Sequence, residues 1–232
     1  MNTEQLSDRL ASVASFVPRG TVIADIGSDH AYLPCFLVKS GKVKKAIAGE
    51  VVKGPYESAV RNVQREGLAE AITVRMADGL SAVREEDGVD VITIAGMGGP
   101  LIVSILEKGA KALSTVRRIV AQPNINAKVI REWAVANGWF IVDEAILKED
   151  GKIYEVLVLE RGDASYDETE LLVGPFLLEK KPEAFIEKWT REVQEWTRVL
   201  QSLEAAEETE SIQSKKAQLR RQIELIGKVL ST

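Results

Sequence analysis

The sequence predicts an α/β protein. It has a Rossmann-like, mostly parallel seven-stranded sheet whose last strand is antiparallel, then a C-terminal antiparallel helical coiled-coil hairpin. Three observations carry this. Short Val/Ile-rich runs alternate with helical stretches, the pattern of parallel strands covered on both faces. The last two runs are separated only by Lys148-Glu149-Asp150-Gly151-Lys152, too short for a crossover helix and suited to a hairpin. Beyond Gly162-Asp163-Ala164-Ser165 the apolar period becomes heptad.

The elements follow in order. Leu6, Leu10, Val13 and Val17 recur at helical spacing and give a leading helix that stops before Pro18-Arg19-Gly20. Strand-length apolar runs occupy 21–26, 46–49, 72–76, 89–95, 118–122, 140–147 and 153–159, with helical stretches at 55–66, 100–111 and 126–137. Alternation that ends in a hairpinned seventh strand is the ending of class I methyltransferases. Trp189, Val193, Trp196, Leu200 and Leu203 form one heptad seam; Ile212, Leu219, Ile223, Ile226 and Leu230 continue it on a second helix. Glu207-Glu208-Thr209-Glu210-Ser211 reads as the turn, with Thr209 or Ser211 as N-cap. Two domains are expected, 1–162 and 163–232. The seam is satisfied by packing within the hairpin, which leaves the protein a monomer or weak dimer.

Composition narrows the function. At 232 residues and 45% hydrophobic the chain buries one full core, and a net charge of −5 argues against a general nucleic-acid coat. Residues 176–232 hold ten Lys/Arg and ten Asp/Glu, so that stretch is neutral and the negative charge lies in residues 1–175. A single cysteine, Cys35, and a single histidine, His30, exclude a disulfide framework and make a metal site unexpected. A polar N-terminus and the lack of a membrane-length apolar run point to the cytoplasm, with no membrane partner.

The first strand runs into Asp25-Ile26-Gly27-Ser28-Asp29-His30-Ala31. Against the methyltransferase pattern (acidic)-x-G-x-G-x-G, Asp25 and Gly27 match, while Asp29 and Ala31 replace the later glycines. A carboxylate here repels the pyrophosphate of a dinucleotide but is acceptable beside the sulfonium of S-adenosyl-L-methionine. Glu50 closes the second strand 23 positions after Gly27, where an acidic residue binds ribose hydroxyls. Ala77-Asp78-Gly79 follows the third strand, with Asp78 placed to accept from an adenine amino group. The expected cofactor contacts are Asp25, Gly27, Ser28, Glu50, Ala77, Asp78, Gly79, Gly96, Met97 and Gly98.

On the substrate side, "AGMGGP" at 95–100 lets backbone approach a ligand closely before Pro100 starts a helix. "QPN" at 122–124 ends the fifth strand, and Asn124 offers a donor and an acceptor to a base edge. Arg9, Tyr32, Gly99, Gln122 and Pro123 complete the expected substrate contacts. Catalysis is assigned to Asp29, His30 and Asn124. An adenine N1 has a free lone pair and becomes cationic on methylation, so a nearby negative charge matters more than a base. Asp29 fits that role better than His30.

"ADIGSDHAYLP", "IAGE", "ADGL", "TIAGMGG", "QPN" and "LVGPFL" together closely resemble the bacterial tRNA (adenine-N1)-methyltransferase family that modifies adenosine 22 in the D-arm. The resemblance runs from about Leu6 through the arm. It implies a class I methyltransferase domain, S-adenosyl-L-methionine as methyl donor and tRNA as substrate. Candidate phosphate contacts are Arg9, Arg19, Lys42, Lys44, Lys45 and Arg131, with Lys215, Lys216, Arg220 and Arg221 on the arm. Two alternatives stay open on the residues alone: a methyltransferase with a non-tRNA substrate, and a non-catalytic S-adenosyl-L-methionine-binding interaction module.

Overall fold

In the computed structural model, residues 3–204 and 209–231 are described. The chain divides into two compact units, Met1–Ser165 and Tyr166–Thr232. The first contains α1 (Asp8–Ser15), β1 (Thr21–Ile26), α2 (Tyr32–Lys39), β2 (Val43–Glu50), α3 (Lys53–Arg65) and β3 (Ile72–Met76). It continues with β4 (Val91–Gly98), α4 (Gly99–Lys108), β5 (Arg118–Ile125), α5 (Lys128–Ala136), β6 (Trp139–Glu149) and β7 (Lys152–Arg161). The strands lie in the order β3-β2-β1-β4-β5-β7-β6.

Strands β1 to β5 pair in parallel, and β7 runs antiparallel between β5 and β6. Asp150 (φ 49°) and Gly151 (φ 73°) both take the left-handed conformation, as a two-residue hairpin turn between right-twisted strands requires. Ile23, Ala24, Ile92, Ile94, Ile119 and Val120 are almost wholly excluded from solvent, which is why the central strands read as unbroken apolar runs. The chain winds from β1 to β2 and β3 on one side and to β4 and β5 on the other. That reversal opens a crevice at the carboxyl ends of β1 and β4, where open α/β sheets bind ligands.

Five strands outrun their expected bounds, β6 and β7 by one or two residues at each end. β2 begins at Val43, while β4 and β5 continue to Gly98 and Ile125, carrying the glycine turn and "QPN" as strand ends. The second unit adds two unexpected short helices, α6 (Glu168–Val173) and α7 (Pro175–Lys180), before α8 (Glu183–Glu204) and α9 (Glu210–Ser231). Asp167 and Glu170 form a capping box at the start of α6. Thr209 caps α9: its Oγ1 accepts from the Ile212 N–H at 3.3 Å. Glu207 and Glu208 of the expected turn lie outside the described residues. Trp189, Leu219 and Ile226 are buried in the seam, but Val229 takes the deep position expected of Leu230. A straight helix drifts from a strict heptad by about 20° per repeat, enough to exchange neighbours near an end.

Candidate functional site

The turn after β1 is built from three left-handed residues, Gly27 (φ 71°), Asp29 (φ 52°) and Ala31 (φ 56°). These are the three glycine positions of the G-x-G-x-G pattern. The backbone path is therefore kept although two glycines are gone. Asp tolerates this conformation better than most L residues, while Ala31 carries its strain in a fully buried position. The Gly27 and Ser28 N–H groups both donate to the Gly49 carbonyl, at 2.9 and 3.0 Å, tying the turn to β2. A Cβ on Gly27 would lie 2.1 Å from the Met97 methyl, so Met97 rests directly against the turn.

Two carboxylates are sunk into this edge. Asp25, 5% exposed, accepts from Ser28 Oγ at 2.6 Å and from Thr93 Oγ1 at 2.7 Å. Burial is the main influence on its pKa and raises it; the two hydroxyls work against burial, and the charge of Glu50 adds to it. Glu50 accepts three backbone N–H bonds: Val51 (2.8 Å) and Val52 (2.9 Å) on Oε1, and Asp29 (3.1 Å) on Oε2. A carboxylate has about four lone-pair positions, so capacity remains for a hydroxyl approaching from the crevice.

A cavity of about 330 Å³ lies over this turn, within the range of small-molecule sites. Asp25, Gly27, Ser28, Asp29 and Glu50 form its β1–β2 wall, Gly96 and Met97 its β4 wall, and Arg9 and Tyr32 also border it. Ala77, Asp78 and Gly79 stand outside that wall. The Ala77 N–H donates to the Glu50 carbonyl at 2.9 Å, and Asp78 is exposed at the head of a short 3₁₀ turn.

His30 is engaged at both ring nitrogens: Nδ1 shares a 2.6 Å hydrogen bond with Ser58 Oγ, and Nε2 lies 3.5 Å from Asp29 Oδ1. Asn62 Nδ2 donates to the His30 carbonyl at 2.9 Å. The ring thus bridges α3 to the Asp29 side chain, which is itself 60% exposed. Tyr32 packs its ring 5.3 Å from that of His30. Ser58, Asn62 and Thr93 were missed in the sequence. Only Thr93 left a signal there, a hydroxyl inside an otherwise apolar strand.

The β4–β5 side corrects two expected substrate contacts. Gln122 is fully buried: its Oε1 accepts from Arg9 Nη1 (2.5 Å) and the Gly96 N–H (3.0 Å), and its Nε2 donates to the Pro123 carbonyl (2.9 Å). It is a scaffold residue with no polar atom left for a base. Gly99 is buried too, and a Cβ there would sit 2.1 Å from the Asn126 carbonyl oxygen, so this glycine serves helix–strand packing. Pro123 is likewise buried, while Asn124 is exposed, donates to the Gly96 carbonyl at 2.8 Å and keeps a second amide hydrogen free for a ligand. Arg9 is half-withdrawn against Glu149 and the Tyr154 ring.

The expected phosphate contacts also redistribute. Arg131 is wholly buried and paired with Glu144 and Glu155, a structural triad closed to RNA. Lys42 donates to the carbonyls of Ala14 and Ser15. Arg19, Lys44 and Lys45 are exposed at the amino edge of the sheet, opposite the crevice. On the arm Lys216 is buried, while Arg220 and Arg221 pair with Glu204 and Glu168. Cys35 is no nucleophile, since burial first and the Glu66 charge second push its thiol up to about 11. No cluster of three or more His, Cys, Asp or Glu suited to a metal ion occurs among the described residues, and no helix there is long and apolar enough to cross a membrane.

Comparison with known proteins adds the following. Residues 23–228 match the family model described as tRNA (adenine(22)-N(1))-methyltransferase. The chain is 47% identical over 236 residues to the Bacillus subtilis (strain 168) tRNA (adenine(22)-N(1))-methyltransferase, covering 99% of both. The crystal structure of a B. subtilis m1A22 tRNA methyltransferase superposes with a TM-score of 0.92 at 44% identity, over 98% of this chain and 99% of that one. A Streptococcus pneumoniae structure in complex with S-adenosyl-L-methionine gives a TM-score of 0.89 at 45% identity, over 97% and 100% of the two chains.

Proposed function

The chain belongs to the tRNA (adenine(22)-N(1))-methyltransferase family, and from that premise we propose how its residues divide the work of methylating N1 of adenosine 22 in tRNA. The enzyme is S-adenosyl-L-methionine-dependent, and its substrate is tRNA. When bound, S-adenosyl-L-methionine supplies the sulfonium methyl group that ends on the adenine nitrogen. The crevice fits that group: glycine backbone leaves room where Cβ atoms would intrude, and Glu50 retains acceptor capacity for ribose hydroxyls. Asp25 holds the turn through Ser28, and Asp78 stands at the edge where an adenine amino group would be met.

The observation that carries the division is the bond from the Asp29 N–H to Glu50. It couples two carboxylates with different duties. Glu50, buried and tied to three N–H groups, is a fixed cofactor contact. Asp29, on the same turn but exposed, faces the acceptor and stabilises the positive charge that adenine gains as N1 takes the methyl group. No proton need leave N1 in that step, so His30 acts as a positioning residue for Asp29 and Asn124 orients the base. The arm supplies further contact area for a folded RNA. Its surface ion pairs are worth at most about 1 kcal/mol each and can exchange for phosphate. Action on tRNA supports a cytoplasmic location.

The test joins cofactor calorimetry to mapping of the modified base. Wild type is expected to methylate an unmodified tRNA transcript at adenosine 22 and to spare a transcript with guanosine there. Glu50→Ala should weaken S-adenosyl-L-methionine binding by about 1–3 kcal/mol, since it strips three N–H groups and the ribose of their acceptor. Methylation at another base, or unchanged cofactor affinity in the variant, would overturn the respective assignment.

A further inference from the structure

Among the described residues, five of the seven large exposed apolar side chains lie at the carboxyl edge of the sheet; Val135 and Ile186 lie elsewhere, on α5 and α8. Val51, Val52 and Met76 project at the ends of β2 and β3, on the cofactor side, while Ile125 projects at the end of β5 and Leu101 from the first turn of α4, which follows β4. Ile125 is 70% exposed and Leu101 is 53% exposed. Ile125 pairs with Gly98 in the last rung between β4 and β5, one residue beyond the Met97 that walls the cavity. Because Gly98 has no side chain, nothing covers Ile125 from that neighbour; a Cβ built there would come within 3.7 Å of it. The backbone beneath is stiff. Asn126 (φ 57°) turns the chain sharply, and its carbonyl is packed against Gly99 too tightly to admit a methyl group.

A β-branched side chain held in water on a rigid support gains nothing for the fold. It suits an apolar wedge. The acceptor nitrogen, on the function proposed above, lies on the Watson–Crick edge of adenine, so in a helical stem it is spent on base pairing. Enzymes that modify such an atom must take the base out of the stack, and inserted Ile or Leu side chains are a recurrent means of holding a stack open. We propose that Ile125, with Leu101 on the first turn of α4, enters the RNA stack beside the acceptor adenosine and fills the place that the adenine leaves. The occupant of this face is thus a base pair of the tRNA stem, in continuity with the cavity through Met97 and Gly98.

The experiment compares two transcripts, one with adenosine 22 paired and one with its partner changed so that it is unpaired. Removing Ile125 leaves no core cavity, so folding is not at stake, and cofactor affinity serves as the control. Ile125→Ala is expected to lower kcat/KM on the paired transcript by about tenfold or more and on the unpaired one by less than about threefold, because unstacking costs a few kcal/mol only where a stack exists. Ile125→Leu should restore most of the loss, and Leu101→Ala should reproduce it weakly. With 2-aminopurine in place of adenosine 22, the fluorescence rise on binding wild type should be lost with Ile125→Ala. Equal losses on both transcripts, no loss on either, or a change of oligomeric state on sedimentation would overturn the wedge. Failure of wild type to methylate adenosine 22 in either transcript would overturn the function itself.

Discussion

The two walls of the crevice are finished to different degrees. On the β1–β2 side the buried polar groups are anchored: Asp25 holds two hydroxyls, Glu50 holds three N–H groups with capacity left for a ribose hydroxyl, and the turn is fastened to Gly49. On the β4–β5 side the glycine turn is supported from below by Gln122 and Arg9, yet its upper surface is left with an exposed amide and bare aliphatic carbon. A small cofactor makes every contact from within one pocket, and a preformed cradle spares the cost of ordering it. A tRNA brings its own surface, and the groups that meet it stay unpaired until it arrives. Aliphatic carbon is exposed beside both walls, at Val51, Val52 and Met76 as well as at Ile125, so the contrast lies in the polar groups: those that hold the cofactor are anchored, while the Asn124 amide is left exposed for the larger ligand.

The largest effect should come from a glycine pair that probes how stiff each wall is. The built Cβ lies 2.1 Å from a heavy atom at both Gly27 and Gly99, but the obstacles differ. At Gly99 it is the Asn126 carbonyl, so Gly99→Ala must move backbone and should destabilise the protein by about 3 kcal/mol, the upper range of overpacking. At Gly27 it is the end of Met97, which can swing aside. Gly27→Ala should cost only the left-handed strain of about 1–2 kcal/mol. It should also push Met97 into the cavity and weaken cofactor binding. Urea midpoints rank the two variants, and the reverse order would mean that the β4–β5 wall is the yielding one.

Next in size is the charge at the acceptor. Asp29→Ala would mix loss of charge with strain at a left-handed position, so Asp29→Asn is the cleaner probe, since Asn tolerates that backbone. Turnover at saturating cofactor should fall about tenfold, a Coulomb effect of a few kcal/mol discounted for the exposure of this carboxylate. Cofactor affinity should change less than about twofold, because the Asp29 N–H and Glu50 are untouched. The inverse result, affinity lost with turnover intact, would move Asp29 to the cofactor wall and erase the contrast between the two carboxylates.

What was legible in the sequence follows the same line. The strands showed because β1 and β4 are apolar on both faces, and Gly27 and Glu50 showed because a ligand-binding turn needs one kind of residue at each place. The hairpin was visible in Asp150-Gly151, a dipeptide suited to two left-handed residues. Hidden were the interactions that join distant segments: Gln122 buried under Arg9, and Gly99 serving a helix contact rather than RNA. Ser58, Asn62 and Arg131 belong with them. Each has a partner at least 13 residues away in the chain, so no local pattern distinguishes it from a surface polar residue. Ile125 was likewise silent, because an aliphatic residue at a strand end reads as core until its exposure is known.

The smallest expected effect is a pH dependence carried by the buried carboxylate beneath the turn. Burial raises the Asp25 pKa in the folded protein above its value in the unfolded chain. The sign follows from linkage: this group contributes stability that is fully present below its unfolded pKa and is lost as the pH rises through the raised folded one. The ionised form of this carboxyl is therefore the costly one, and its cost is partly offset by Ser28 and Thr93, which donate to it and hold the turn. Asp25→Asn removes the titration while its amide oxygen still accepts one of the two hydroxyls, and the other hydroxyl can rotate to accept from the new amide nitrogen. The stability of the variant relative to wild type should accordingly be most favourable near neutrality and decline toward acid, read as the difference in urea midpoints across that interval. A difference for Asp25→Asn that stays level with pH would mean that burial does not shift this carboxyl, whereas one that climbs through neutrality without levelling would mean that it stays protonated in the folded protein. The β1–β2 wall would then be neutral at its base, and Glu50 would be the only buried charge facing the cofactor.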